Sequence, residues 1–252
     1  MNNLRATTKS VLQLVEERTG RPVQFLRDDS LKVMVSVSMA RHGASYHVLR
    51  FRPTDEPLDY LIVHQAAFIL RLYENPPDQR FDFTSEDSAA ALMESLIRAG
   101  RPLSEDDAAK LPEFARFVGQ WSLMNLRSIP VGMRIDTWIH ADFPDLRDLQ
   151  IATLSTQQQE YVTALAFRTG GLMIPRIALG LVAAHAEMAD RLSGDTQFAV
   201  PYRAAGLQPQ AAAILQCLED TDAAASHDTE LIDQCADLCG LSGQYQWKPF
   251  QP

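Results

Sequence analysis

Apolar residues recur every three to four positions over most of this chain; the one interval where they recur every second position lies between residues 23 and 52. Ahead of it, Leu4, Val11, Leu12, Leu14 and Val15 fall at helical spacing, and Gly20 and Pro22 close the run, which predicts a helix over residues 4–19. A short strand is expected at 23–27, followed by turn chemistry in Asp28-Asp29-Ser30. Over 31–41, Val33, Val35, Val37 and Met39 alternate with Lys32, Met34, Ser36 and Ser38. After His42-Gly43-Ala44 a third strand, 45–52, carries Tyr46, Val48 and Phe51 among polar residues. Strands two and three are expected to form an antiparallel hairpin with one polar face.

The helical period then returns and stays. Residues 55–75 predict a long helix, with Thr54 or Asp55 as its cap, Pro57 in its first turn and Asn75-Pro76-Pro77 as its stop. Leu58, Leu61, Ile62, Ile69 and Leu72 share one side; Ala67 and Phe68 widen the stripe until little but Asp59, Arg71 and Glu74 is polar. Such a helix packs on more than one side, and His64 stands in its middle. Further helices are expected over 86–99, over 104–126 as two pieces broken near Pro112, and over 130–141, 146–167, 175–192, 209–219 and 229–238. Loops are expected at 193–205 and 220–228, the latter exposed. There is no internal repeat and no Gly/Ser-rich linker. The expected class is α+β: a small antiparallel sheet with a long central helix in residues 1–100, and a largely helical region, 101–252, packed on it as one continuous body.

Composition narrows the partners. The 252 residues are 46% apolar and 22% charged, ordinary for a globular protein. A net charge of −9 argues against nucleic acid as the main partner, although Arg41, Arg50 and Arg52 lie near one another in sequence. No apolar run approaches the ~20 residues a membrane helix needs; the most apolar window, 172–184, is interrupted by Pro175 and Arg176. The first twenty residues are amphipathic and contain acids, unlike a signal peptide. Three cysteines, Cys217, Cys235 and Cys239, fit a reducing compartment better than a disulfide scaffold, so a cytoplasmic location without membrane attachment is expected.

The chemistry turns on Val63-His64-Gln65-Ala66-Ala67-Phe68. The order helix, three strands, long helix with a central histidine resembles the minimal zincin metallopeptidase core, closest to the IrrE/ImmA-like group. That family carries His-Glu-x-x-His on the long helix: two imidazoles four residues apart bind zinc from one face, and the Glu is general base to the metal-bound water. The resemblance implies that His64 matches the first ligand, Gln65 replaces the base and Phe68 replaces the second histidine. Glu86, or Asp87 beside it, would match the third ligand. An amide cannot take a proton from water near neutral pH, and a phenyl ring coordinates nothing. His64, Gln65, Phe68 and Glu86 are therefore read as a vestigial motif, with no catalytic residue, metal or cofactor expected. The plainer reading of His64 is a helix histidine whose ring lies partly in the core and hydrogen-bonds a carbonyl.

Other candidates weigh less. His42 and His47 flank the hairpin turn and read as solvated strand histidines, able to meet His64 only if the turn folds back over the helix. His185, Glu187 and Asp190 share one later helix and read as a solvated face. Cys235 and Cys239, one helical turn apart with His227 nearby, read as packed thiols rather than a zinc signature. Gly170-Gly171 reads as a helix break, and no phosphate-cradling glycine motif occurs. Trp138, Phe143, Leu146 and Leu149 form an apolar set that is either core or, through Trp138 and Phe143, an anchor patch for a protein partner. The expected function is a non-catalytic interaction or regulatory subunit. The alternatives are a metal-dependent hydrolase using His64 and Glu86 with His42 or His47, and a small-ligand sensor using the vacated cleft.

Overall fold

Helix α1 (Ala6–Thr19) ends where Gly20 turns left-handed at φ 68° and its N–H caps the carbonyl of Glu16. At its other end Asp59 accepts from the Arg5 N–H at 2.7 Å and from the Thr8 hydroxyl at 2.5 Å. Asp59 is also the first residue of helix α2 (Asp59–Glu74), so one carboxylate serves the positive ends of both helices. The computed structural model describes residues 4–54, 56–85, 88–99, 102–194 and 196–252.

The chain divides into two units that interleave along the sequence. Unit 1 is Met1–Asp82, Arg134–Thr153 and Pro249–Pro252; unit 2 is Phe83–Met133 and Leu154–Lys248.

In unit 1, strands β1 (Val23–Arg27), β2 (Val35–Ser38) and β3 (His47–Phe51) form a sheet of order β1-β3-β2. The expected antiparallel hairpin is present, with Val35 opposite Phe51 and Ser38 opposite Val48. Strand β1 joins it in parallel, Val23 opposite His47, so the sheet is mixed. Strand β2 is shorter than the alternation over 31–41 predicts. Val33 is half exposed while Met34 packs against Val35, Leu49 and Ile62, so the alternation breaks before β2 begins. Leu4, Leu12, Val23, Phe25, Leu58 and Leu61 close the same core. Helix α2 starts at Asp59, later than residue 55, because the Thr54 hydroxyl accepts from the Glu56 N–H and caps a turn rather than the helix; Asp55 lies outside the described residues.

Strand β4 (Phe81–Thr84) leads to helix α3 (Ser88–Ala99) and then to helix α4 (Glu105–Asp142), 38 residues in one piece. Two shorter helices broken near Pro112, and a third starting at 130, are not what forms: Pro112 and Pro130 both lie inside α4. An interior proline costs roughly 3 kcal/mol. Leu111, Val118, Leu126, Met133, Ile135 and Ile139 along the same helix are at most 1% exposed, and each contributes about 1.5–3 kcal/mol of burial, which outweighs both prolines. Within unit 2, Gly119 lets α4 approach α3: a Cβ there would lie 2.9 Å from the Ala89 carbonyl carbon.

Helix α5 (Arg147–Ala166) is followed by the two-residue strands β5 (Arg168–Thr169) and β6 (Leu172–Met173). Gly170-Gly171 is the turn of this hairpin, with Gly170 at φ 59° and the Gly171 N–H donating to Asp107 at 2.8 Å. The glycines do end a helix, but by starting a hairpin. Helices α6 (Gly180–Ser193), α7 (Val200–Ala204), α8 (Gln208–Asp220) and α9 (Asp228–Leu238) complete unit 2, with α6 packed on α8 and α8 on α9. Helix α7 falls inside the expected 193–205 loop, where Asp190 accepts from the Phe198 and Ala199 N–H groups and Tyr202 is buried. Part of the expected exposed loop at 220–228 is core, since Thr221 and Ala225 are buried. Strand β7 (Gln246–Pro249) pairs with β4. The fold is thus mixed α+β with small sheets and a helical C-terminal region. No helix among the described residues is long and apolar enough to cross a membrane.

Candidate functional site

Helix α2 carries Tyr60, His64 and Phe68 one turn apart on one face, as i, i+4 spacing requires. The His64 ring lies 5.8 Å from that of Tyr60 and meets Phe68 edge-on at 5.4 Å and 71°. Its Nε2, the nitrogen that projects farther from the helix, is 3.5 Å from Asp136 Oδ1. The same oxygen accepts the Tyr60 hydroxyl at 2.5 Å. Asp136 belongs to the 134–153 segment of unit 1 and is 1% exposed, whereas the His64 side chain is 16% exposed. Gln150 fastens the segment behind it, donating to the Asp136 carbonyl at 2.8 Å and meeting His140 Nδ1 at 3.2 Å.

Burial, and then the neighbouring Asp136 charge, raise the Tyr60 hydroxyl well above its ordinary pKa. The phenol therefore keeps its proton and acts as a donor to the carboxylate. A buried carboxyl group of this kind is tolerable only with donors arranged around it, and the Tyr60 hydroxyl supplies one of them beside the His64 ring. The arrangement orients an imidazole and ties α2 to the 134–153 segment.

Positions 65 and 68 supply neither the base nor the second ligand of a zinc motif. Phe68 packs against the ring from the position the second ligand would need, and Gln65 offers only an amide. Glu86 and Asp87 lie outside the described residues. Among the described residues no three His, Cys, Asp or Glu side chains gather in a group able to hold a metal ion. The alternative ligand His47 is taken: Nδ1 accepts the Ala40 N–H at 3.0 Å and Nε2 faces the Thr19 hydroxyl at 3.1 Å. It packs on Tyr73, nine residues beyond His64 and so about 13 Å further along α2. His47 is also wholly buried rather than solvated, and burial, with Arg21 adding to it, lowers its pKa to about 4. His42 is exposed at φ 51° and gives its N–H to Gln251.

The later candidates resolve separately. His185 is buried, with Nδ1 2.8 Å from Gln158 Nε2, and Glu187 pairs with Arg203; the solvated face expected there does not exist. The three thiols are buried and none is in a disulfide, and burial pushes Cys239 up to about 12. His227 pairs with Glu230 instead of joining them. Trp138 stacks edge-on against Phe143 at 4.8 Å, both half-buried, while Leu146 is core. Arg41 pairs with Asp82 and Arg50 donates to Ser38, so each is engaged locally. Sequence reasoning missed Tyr60, Asp136 and Gln150. The available signal was an acid at 136 set between Ile135 and Ile139 in the mostly apolar stretch 129–139, since buried carboxylates are rare without a partner.

No family model matches the chain, and no curated protein or solved structure matches it.

Proposed function

We propose that this protein is a non-catalytic member of the zincin-like architecture, a pseudo-metallopeptidase that acts as a protein-interaction or regulatory subunit. The observation that carries the reading is the state of His64: its outer nitrogen is turned to Asp136, and Phe68 covers the side from which a second ligand would come. A helix, a small sheet with an antiparallel hairpin, and a long helix with a central histidine follow in the order that this architecture uses. An interaction role is supported by an apolar face on unit 2, where Phe117 (47% exposed), Met124 (56%) and Phe167 (39%) remain open to solvent. Phe117 and Met124 lie two turns apart on one side of α4, and Phe167 lies 5.6 Å from Phe117, ring to ring. Exposed large apolar residues that cluster in this way favour partner binding.

Metal analysis of protein purified without added zinc tests the first half. The expected result is a metal content far below one per chain, unchanged in His64→Ala. Near-stoichiometric zinc or iron that disappears in that variant would sink the reading. Purification from the native host tests the second half: a partner should accompany the wild-type chain and be lost from Phe117→Asp/Met124→Lys with helicity unchanged. A lone monomer under all conditions counts against an interaction role.

A further inference from the structure

We propose that unit 2 carries a binding site for an organic cation, an alkylammonium or guanidinium group, in the concavity between helix α9 and strand β7. The concavity has a volume of about 280 Å³ and is lined by Asp233, Asp237, Ser242, Gly243, Tyr245 and Trp247 together with Gln246. It lies apart from α2 and His64 in sequence and goes beyond the reading above.

Three features converge on a cation. The aromatic walls form a corner, with the Tyr245 and Trp247 rings 5.9 Å apart and inclined at 84°. Phe83 backs the corner, stacked on Tyr245 at 4.5 Å and 14° and edge-on to Trp247 at 5.5 Å. Tyr245 and Trp247 both line the concavity, and aromatic rings there attract ammonium and guanidinium groups that come within about 6 Å of a centroid.

The second feature is charge. Asp233 and Asp237 are one helical turn apart on α9 and both are exposed. Among the described residues neither carboxylate is paired with a cation. Lys248, the cation next along β7, adjoins Trp247, and strand alternation sends successive side chains to opposite faces. Two carboxylates with no cationic partner among the described residues, beside two aromatic rings, supply the potential that a neutral ligand would not need.

The third is preorganisation. Asp233 Oδ1 accepts the Tyr245 hydroxyl at 2.5 Å and the Trp247 indole N–H at 2.9 Å, so one oxygen fixes both rings while Oδ2 is left for a ligand. Ser242 likewise donates to Asp237 Oδ1. The rings therefore lose little freedom on binding, which favours even a small ligand.

The test is an NMR titration of the whole chain with tetramethylammonium, guanidinium and the neutral isostere tert-butanol, read at the Gly243 amide and the Trp247 indole N–H. Both cations should give saturable shifts in the millimolar range, and tert-butanol none. In Asp237→Asn, which leaves the Asp233 anchor intact, affinity should fall at least fivefold with the rest of the spectrum retained. In Trp247→Phe, read at Gly243, affinity should fall by a similar factor. Shifts that stay linear to 100 mM, equal binding of tert-butanol, or undiminished affinity in Asp237→Asn would each overturn the proposal. A trimethyllysine peptide binding at least tenfold tighter than tetramethylammonium identifies the source as a modified protein chain; equal affinities identify a free small cation.

Discussion

A carboxyl group that is 1% exposed needs donors within reach, and at Asp136 the Tyr60 hydroxyl supplies one while His64 Nε2 stands 3.5 Å away. Asp136→Ala takes this acceptor from the buried Tyr60 hydroxyl and should lower the free energy of unfolding by about 1–3 kcal/mol. Tyr60→Phe removes a single donor to a charged acceptor and should cost about 1.5–3 kcal/mol. Urea denaturation midpoints at constant slope check both. His47 makes a separate prediction, about pH. It titrates near pH 6.5 when unfolded but at about 4 when folded, because burial and then Arg21 disfavour its charged form. Between those values the unfolded chain binds the extra proton. This contribution is fully present above about pH 6.5 and is lost as pH falls towards 4, to a limit of about 3 kcal/mol. His47→Gln, which still offers an acceptor to the Ala40 N–H, should flatten the pH dependence over that window.

Helix α4 shows what one element can absorb. Pro112 is exposed and removes a donor from the interior of the helix, so no packing is lost when it is replaced. Pro112→Ala should therefore raise stability by about 1–3 kcal/mol, read as a higher thermal midpoint and a higher far-ultraviolet helical signal. Should Pro112→Ala leave the midpoint lower, the continuous helix is not the element that forms. The sequence showed where α1 and α2 stop, because Gly20 and Asn75-Pro76 act within a turn of the helix they end. It did not show that α4 is continuous, because what overrides its prolines is burial by residues remote in sequence. Strands β4 and β7 were invisible for a related reason: two four-residue segments more than 160 positions apart carry no period of their own.

At the scale of the whole molecule, each unit draws on distant stretches of chain. Residues 249–252 return to unit 1, where Phe250 is 4% exposed and its N–H donates to the Arg80 carbonyl at 2.8 Å. Its ring meets Tyr73 at 6.1 Å, and Gln251 and Pro252 accept from the His42 and Gly43 N–H groups. Phe250→Ala should cost about 3–4 kcal/mol, and hydrogen exchange at His42 and Gly43 should quicken with it. The amino-acid sequence by itself determined the α+β class, the antiparallel β2–β3 hairpin and the side chains at 65 and 68, an amide that is no base and a phenyl ring that coordinates nothing. Those follow from local period, turn chemistry and side-chain identity, which need no knowledge of neighbours. Only tertiary structure decided that β1 enters the sheet in parallel, that α4 runs through two prolines, and that His47 and His185 are interior. It also decided the surroundings of His64. The helix that carries this imidazole can be read from residues 59–74, but the carboxylate that holds it comes from position 136, and only folding brings the two together.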